Sequence, residues 1–257
     1  MELPGFSMRG RGGMGAQSLD SYGDDTAHSY DDWFGAWSLV QPVVDQVVRF
    51  AGSDPVLELG IGTGPLALPL LERGVAVHGI DLSEQMVARL RAKPGGDRIP
   101  VTIGDFSELP VTGTFSVVFV ARSSFFHLPT QEAQVRCFAR VAKRLRPGGV
   151  FMLDGLLPDE ICLLADQGKV IRQTEEGQVL RFRTYDRSQQ HLVSHYLGAF
   201  AKGVQHMSFS FHYAWPGELD LMARMAGLRL RERWGGWDGS PFQAASSYHV
   251  SVYERPA

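Results

Sequence analysis

The sequence has few cysteines and no long apolar run. Cys137 and Cys162 are the only cysteines among its 257 residues, and they lie in apolar, helix-like surroundings without a paired spacing. This pattern favours reduced core thiols over a disulfide or a metal site. No apolar stretch approaches the ~20 residues that a membrane-spanning helix needs, and the N-terminus lacks the apolar region of a signal peptide. We therefore predict a cytoplasmic protein that does not act at a membrane.

The sequence also has little net charge and no long basic cluster. Its formal net charge is −3, whereas a nucleic-acid-binding face needs clustered lysine and arginine to neutralise phosphates. We therefore expect a small-molecule substrate and no nucleic-acid partner. The run Arg9-Gly10-Arg11-Gly12-Gly13 has too few arginines for an RNA contact. Residues 1–16 cannot bury much surface and are predicted to be a disordered tail, with Met1, Met8 and Met14 as alternative starts.

The most informative segment is a glycine-rich run that follows a short apolar strand. Residues 56–64 read Val-Leu-Glu-Leu-Gly-Ile-Gly-Thr-Gly, and a second apolar run, 75–80, ends at Asp81. The glycines let the backbone turn sharply into a helix, predicted over 65–72, and let a ligand approach where a Cβ would collide. In such a strand-helix-strand unit, an acid after the second strand can accept hydrogen bonds from both ribose hydroxyls. The segment therefore predicts a nucleoside cofactor.

The spacing of the glycines separates two classes of nucleoside-binding protein. The pattern Glu-x-Gly-x-Gly-x-Gly at 58–64, with Asp81, resembles the first two motifs of the class I S-adenosylmethionine (SAM) dependent methyltransferases. A dinucleotide site more usually has G-x-G-x-x-G, with the helix N-terminus holding a pyrophosphate. Here the third glycine comes one residue early, Pro65 follows it, and the loop has no basic side chain. We therefore favour SAM as the cofactor and keep a nicotinamide oxidoreductase as an alternative.

Further motifs follow in the order that this family shows. The predicted elements are a strand at 101–103 ending in Gly104-Asp105-Phe106, a strand at 115–120, a helix at 131–145 ending in Arg146-Pro147-Gly148-Gly149, and a strand at 150–153. The proline and glycines stop the helix and reverse the chain. In the family, an acid at the position of Asp105 binds the adenine amine while a residue such as Phe106 packs on the base. The resemblance covers residues 56–154.

The resemblance implies an α/β fold with a Rossmann-like, seven-stranded methyltransferase sheet and helices on both faces. It also implies SAM as the cofactor, released as S-adenosylhomocysteine. The cofactor-binding residues that it implies are Glu58, Gly60, Gly62, Gly64, Asp81, Leu82, Met86, Asp105, Phe106 and Ala121. No metal is expected, because the spaced acids of a magnesium-dependent enzyme are missing and His191 and His195 lie in a strand-like pattern.

Two segments lie outside this core. Aromatic and aspartate residues alternate between Tyr22 and Trp37, which resembles the helical lid that the family uses to cover the cofactor. After the fifth strand, three segments alternate apolar and polar positions and predict an inserted antiparallel β lid, which could also build a homo-oligomer interface. These strands are predicted at 178–186, 190–200 and 206–214. The expected organisation is a tail at 1–16, a lid at 17–50, a core at 51–156 and 215–257, and an insert at 157–214.

The candidate catalytic residues are Tyr22, Tyr30 and His127. His127 follows the cleft end of the fourth strand and could act as a base, although it could instead only close the turn before Pro129. The tyrosines could orient an amine through hydroxyl and ring contacts. Because no strong base-acid pair is evident, we favour a nitrogen acceptor. The alternatives are an O-methyltransferase that uses His127 as base and a non-catalytic, methyltransferase-like binding protein.

The N-terminal aromatic residues and the late insert carry a second resemblance. The spacing of Tyr22 and Tyr30, with the Asp-Asp-Trp-Phe run at 31–34, is similar to actinomycete antibiotic-pathway N-methyltransferases that act on lincosamide or amino-sugar amines. This similarity implies an antibiotic-type amine as the acceptor.

Overall fold

The computed structural model describes residues 27, 30, 31, 37–159, 168–174, 177–200 and 203–257. Helices in these residues are α1 (Val40–Ala51), α2 (Ala67–Glu72), α3 (Glu84–Arg91), α4 (Gln131–Arg144) and α5 (Pro216–Met225). The strands are β1 (Val56–Leu59), β2 (Val77–Asp81), β3 (Val101–Ile103), β4 (Phe115–Val120), β5 (Leu145–Leu156), β6 (Lys169–Thr174), β7 (Gly177–Asp186), β8 (His191–Phe200), β9 (Gly203–His212), β10 (Arg229–Trp234) and β11 (Tyr248–Glu254). Short 3-10 helices cover Gly96–Arg98 and Ser124–His127. None of the described helices is long and apolar enough to cross a membrane.

The larger sheet has seven strands in the order β10-β11-β5-β4-β1-β2-β3. The strands from β1 to β5 pair in parallel, and β11 is antiparallel to both of its neighbours. The predicted Rossmann-like, seven-stranded sheet is therefore confirmed. The strand order reverses beside β1, so the carboxyl ends of β1 and β4 border the crevice in which such sheets bind ligands.

Alternate residues of the central strands enter two separate cores, one on each face of the sheet. Val118 on β4 belongs to the core that α4 and α5 cover, whereas Val117 and Phe119 belong to the core that α1 and α2 cover. Because successive side chains of a strand point to opposite faces, a strand buried on both sides must be apolar throughout. Cys137 on α4 is a buried free thiol, as predicted, and Cys162 lies outside the described residues.

The boundaries of two predicted elements differ from those observed. Helix α2 begins at Ala67, two residues later than predicted, because the glycine loop keeps turning through 65 and 66. Strand β5 begins at Leu145, directly after α4, whereas we predicted that the Pro-Gly-Gly run would separate the two. Its register against β4 shifts between Phe115 and Val117, so the run forms an irregularity inside the strand.

The inserted region forms a separate antiparallel sheet in the order β6-β7-β8-β9. The prediction of an inserted antiparallel sheet is confirmed, and its three predicted strands correspond to β7, β8 and β9. The sequence analysis missed β6, whose residues 169–173 are all exposed. An exposed edge strand has no buried face and therefore carries no alternation of apolar and polar residues.

Candidate active site

The glycine loop follows β1 and adopts a left-handed backbone at three positions. Gly60, Gly62 and Gly64 have φ of 71°, 55° and 79°, a region that side chains with a Cβ rarely occupy. A Cβ on Gly64 would lie 2.3 Å from Cδ1 of Leu90, so this glycine allows α3 to pack against the loop. Gly60 and Gly62 instead line a cavity. The first two glycines thus shape the ligand side of the loop and the third shapes its packing.

Asp81, the last residue of β2, fixes the position of the loop. Its Oδ2 accepts a hydrogen bond of 2.7 Å from the Gly62 N–H, and its Oδ1 accepts one of 2.9 Å from the Ser83 N–H. The Ser83 hydroxyl in turn caps α3 by accepting from the Met86 N–H. Asp81 also lines the cavity beside the loop, which places its carboxylate next to a ligand bound there.

The cavity lies at the carboxyl ends of the central strands and holds about 770 Å³ of empty space, part of it open to solvent. Its lining residues are Tyr30, Gly60, Gly62, Asp81, Leu82, Ser83, Met86, Asp105, Phe106, Ser124, His127 and Leu128. Nine predicted site residues are therefore brought together here. Gly64 and Ala121 lie outside the lining, as does Glu58, and Tyr22 lies outside the described residues. Ser83, Ser124 and Leu128 were missed, because their residue types carry no motif.

Asp105 and Phe106 form one wall of the cavity. The two Asp105 carboxylate oxygens accept hydrogen bonds from the Ser107 N–H at 2.7 Å and the Ser107 hydroxyl at 2.8 Å. The Phe106 ring lies beside the glycine loop, where its Cε1 would be 3.9 Å from a Cβ on Gly60. A carboxylate held by its own turn and an adjacent ring suit a planar heterocycle that carries an amine.

Glu58 lies beneath the loop and is only 3% exposed. Burial raises the pKa of its carboxyl well above the usual range, the nearby Asp81 raises it further, and Arg122 opposes the rise. Its Oε2 has no hydrogen-bond partner within the described protein. A buried oxygen of this kind is costly unless a ligand or water supplies a donor.

The N-terminal segment is tied to the glycine loop by Asp31. The Asp31 carboxylate accepts from the Thr63 hydroxyl at 2.6 Å and pairs with the Lys93 ammonium at 2.7 Å. Lys93 also donates to the Thr63 carbonyl at 2.8 Å. Partial burial raises the pKa of Asp31, but the hydrogen bonds from Lys93 and Thr63 outweigh it, so the pKa is lowered overall. The sequence analysis missed Lys93, because it lies thirty residues from Thr63 along the chain.

Tyr30 is thereby placed over the cavity beside an arginine. The Arg122 guanidinium carbon lies 5.6 Å from the centre of the Tyr30 ring and 5.1 Å from that of Trp37. Burial raises the pKa of Tyr30, so its phenol stays neutral and can both donate and accept a hydrogen bond. Tyr30 therefore contributes to the cavity lining from the segment that precedes α1.

His127 ends the 3-10 helix that follows β4 and contacts the inserted sheet. Its Nδ1 lies 3.0 Å from the Ser210 carbonyl oxygen, and its ring centre lies 4.5 Å from that of Phe211. Because a carbonyl oxygen only accepts, Nδ1 carries the proton and Nε2 is the acceptor nitrogen. Burial lowers the pKa of His127 to about 4, although the bond to Ser210 opposes this. The imidazole is therefore neutral at physiological pH and is a weak base.

Asp154 on β5 holds the segment between β4 and His127. Its buried carboxylate accepts from the N–H groups of Arg122 at 2.9 Å and Ser123 at 2.7 Å, two residues with φ of 62°. The same carboxylate accepts from the Trp237 indole at 2.6 Å and from the Tyr248 hydroxyl. Four donors thus fix a strained turn at the edge of the cavity.

The fold and these residues have counterparts in known proteins. Residues 56–149 match the model of the methyltransferase domain family. A cypemycin N-terminal methyltransferase from a Streptomyces species is 31% identical over 202 residues, which span 78% of this chain and 82% of that protein. The methyltransferase CcbJ from Streptomyces caelestis is 35% identical, with a TM-score of 0.87 over 94% of this chain and 100% of that one. This chain belongs to the SAM-dependent methyltransferases.

A more distant solved structure shares the fold. SAM-bound CalS10 from Micromonospora echinaspora, an amino pentose methyltransferase, has a TM-score of 0.62 at 20% identity, covering 99% of each chain. The cofactor of the present methyltransferase is SAM, as predicted, and its cavity is suited to that molecule. The loop offers backbone rather than side chains to the ligand, and Asp81, Asp105 and Phe106 line the cavity beside it.

Proposed function

We propose that this methyltransferase transfers a methyl group to an amine nitrogen of a small molecule of the antibiotic or amino-sugar type. The observation that carries the proposal is that Tyr30 and His127 line the same cavity as the glycine loop and Asp81. Groups suited to orient an acceptor therefore face groups suited to hold the cofactor. SAM, when bound, supplies an electrophilic methyl group that a nitrogen lone pair can attack in line. Positioning the lone pair near that methyl group can account for much of the rate enhancement.

The weak basicity of His127 supports nitrogen over oxygen as the acceptor atom. An alcohol needs a base that removes its proton, whereas an amine presents a lone pair once it has lost a proton to solvent. Burial lowers the pKa of His127 to about 4, which leaves it a poor base for an alcohol. Its Nε2 can accept a hydrogen bond from an amine N–H and thereby direct the nitrogen lone pair. Tyr30 supplies a neutral phenol on the lid side of the same cavity.

The named functions of similar proteins support the same choice. The 31% identical relative is named as the N-terminal methyltransferase of cypemycin, and CalS10 is described as an amino pentose methyltransferase of calicheamicin biosynthesis. The first name describes methylation at an N-terminus and the second describes methylation of an amino pentose. We infer that the present acceptor is of this kind.

The cofactor contacts follow from the same geometry. We infer that Asp81 accepts the ribose hydroxyls, that Asp105 and Phe106 hold the adenine, and that Leu82 and Met86 pack against it. Glu58, Gly64 and Ala121 support the loop from behind the cavity lining. The corresponding domain assignment has a lid at 17–50, a core at 51–156 and 215–257, and an insert at 157–214.

The proposal is tested with matched acceptors that differ only at the nitrogen. The protein and SAM are incubated with an N-demethyl lincosamide and with a free amino sugar, each beside its N-acetyl derivative. Acetylation removes the nucleophilic lone pair and keeps every hydroxyl. We expect a mass gain of one methyl group on a free amine and none on either N-acetyl derivative. Methylation of the N-acetyl derivatives would show oxygen transfer and would contradict the proposal.

A further inference from the structure

A second cavity lies between the turn after β4 and the inserted sheet. It holds about 540 Å³ of empty space, part of it open to solvent. The described residues that line it include Arg122, Arg183, Ser194 and Tyr196, and no aspartate or glutamate is among them. The cavity adjoins the cofactor cavity through the 3-10 helix, because Ser123 and Phe126 line one cavity while Ser124 and His127 line the other.

Arg183 is the unusual residue of this cavity. It lies on β7 directly opposite Ser194 on β8, is only 7% exposed, and donates from Nε to the Ser194 hydroxyl at 3.2 Å. Its buried Nη1 has no hydrogen-bond partner within the described protein. Burial lowers the pKa of Arg183 and the neighbouring Arg181 lowers it further, whereas the Tyr196 phenol opposes the shift. No aspartate or glutamate of the described chain offsets it. A buried charge without a counterion is costly, and proteins normally pair such a charge.

The second arginine of the cavity has other electrostatic neighbours. Arg122 lies close enough to Glu58 to oppose the rise of that carboxyl's pKa, and its guanidinium packs on the rings of Tyr30 and Trp37. Among the described residues no aspartate or glutamate pairs with Arg183, whose guanidinium carries a single positive charge. One positive charge matches a monoanionic carboxylate, whereas a phosphate ester carries about −1.5 to −2 charges at neutral pH. A guanidinium also binds the planar carboxylate through two parallel hydrogen bonds.

We propose that this second cavity binds a carboxylate group of the acceptor, with Arg183 as its counterion. The acceptor is then a molecule that carries an amine at one end and a carboxylate at the other. This inference rests on the proposed function only in assigning the carboxylate to the methyl acceptor. The anion site itself rests on the buried guanidinium and on the cavity that it faces.

The test is a calorimetric titration of the full-length protein saturated with S-adenosylhomocysteine. The probes are hippurate, which carries a carboxylate, hippuramide, which replaces it with a neutral amide, and phenyl phosphate. We expect hippurate to bind at least tenfold more tightly than either of the other two probes. Equal affinity for hippurate and hippuramide would overturn the proposal, as would tighter binding of phenyl phosphate.

Two variants test whether Arg183 is the counterion. Arg183→Met keeps an unbranched apolar side chain but removes the guanidinium, and it should weaken hippurate binding at least tenfold. Arg172→Met removes an exposed arginine from the same sheet and should leave hippurate affinity unchanged. Ser194→Asp places a carboxylate opposite Arg183, so it should abolish hippurate binding and raise the unfolding temperature. Unchanged hippurate affinity in both Arg183→Met and Ser194→Asp would exclude Arg183 as the counterion.

The same titration separates this inference from the proposed function. Binding of S-adenosylhomocysteine without binding of hippurate would overturn the carboxylate site and leave the proposed amine methylation untouched. Binding of both ligands, with no methyl transfer to any free amine, including amines that also carry a carboxylate, would overturn the proposed function and leave the carboxylate site in place.

Discussion

The two cavities are built in different ways. The cofactor cavity is shaped by backbone, with three glycines at positive φ and a carboxylate, Asp81, that accepts from two backbone N–H groups. The second cavity is shaped by side chains of the inserted sheet and contains a buried guanidinium with a donor that the described protein leaves unpaired. The first cavity thus offers backbone and a hydrogen-bonded carboxylate, whereas the second offers a positive charge that we propose is paired by an anion. Under that proposal, separate surfaces of one protein hold the cofactor and the acceptor.

The largest expected effect is on the backbone-built cavity. Asp81→Ala removes the acceptor for the Gly62 and Ser83 N–H groups. Each hydrogen bond to a charged group contributes about 1.5 kcal/mol or more, so losing both should weaken S-adenosylhomocysteine binding about 100-fold. Isothermal titration calorimetry measures this change.

A matched control separates loop geometry from simple loss of negative charge. Asp45 is an exposed carboxylate that pairs with Arg73 and does not line the cofactor cavity. Asp45→Ala should bind S-adenosylhomocysteine with wild-type affinity. An unchanged dissociation constant in Asp81→Ala would remove the main support for our assignment of the cofactor site.

The different construction of the cavities also explains what the sequence could predict. The glycine loop and Asp81 lie within about two dozen residues of one another, and their spacing reflects a backbone geometry that tolerates few alternatives. The order of apolar strands and helices likewise predicted a parallel sheet, and the family resemblance implied its seven strands. In contrast, the link between Asp31 and Lys93 and the bond between His127 and Ser210 join distant residues of ordinary type. No local pattern distinguishes such residues before the chain is folded.

The inserted sheet also shows what local sequence patterns cannot predict. Alternation predicted β7, β8 and β9, but it could not show which face was buried, because both faces carry polar and aromatic residues. The register between β7 and β8 places Arg183 opposite Ser194, and this register selects the cavity side of the sheet. A shift of one residue would turn the same side chains to the other face.

A smaller effect is expected where the two cavities meet. Asp154→Asn replaces a carboxylate that accepts from the N–H groups of Arg122 and Ser123 and from two buried side chains. The amide has one acceptor oxygen and introduces a donor, so the turn after β4 should shift. We expect about a tenfold loss in kcat/KM for the acceptor, together with a loss of about 2 kcal/mol in the free energy of unfolding. Steady-state kinetics and urea denaturation measure the two quantities.

Asp220→Asn serves as the control for this prediction. Asp220 pairs with Arg233 and accepts from the Tyr253 hydroxyl, so its replacement should also lower stability. It does not contact the turn after β4, and kcat/KM for the acceptor should remain near the wild-type value. An equal loss of kcat/KM in both variants would mean that Asp154 acts through stability alone.

The smallest effect is expected at His127, which contacts both the cofactor cavity and the inserted sheet. His127→Gln retains a side-chain N–H that can donate to the Ser210 carbonyl, and it should lower kcat only a few-fold if His127 orients the amine. Because burial lowers the pKa of His127 to about 4, the imidazole stays neutral between pH 5.5 and 7.5. A plot of log kcat against pH should therefore show no inflection from His127 in this range. The plots for the wild type and for His127→Gln should run parallel.

The stability of the folded protein provides a second measure of the same pKa. In the unfolded chain His127 binds a proton near its ordinary pKa of about 6.5, whereas the folded protein binds it only near pH 4. The unfolded state binds more protons across that interval, so the wild type should lose stability as the pH falls from 6.5 to 4. His127→Gln should lose less stability over the same interval. A kcat inflection near pH 6.5 that disappears in His127→Gln would instead identify His127 as a general base and would favour an oxygen acceptor.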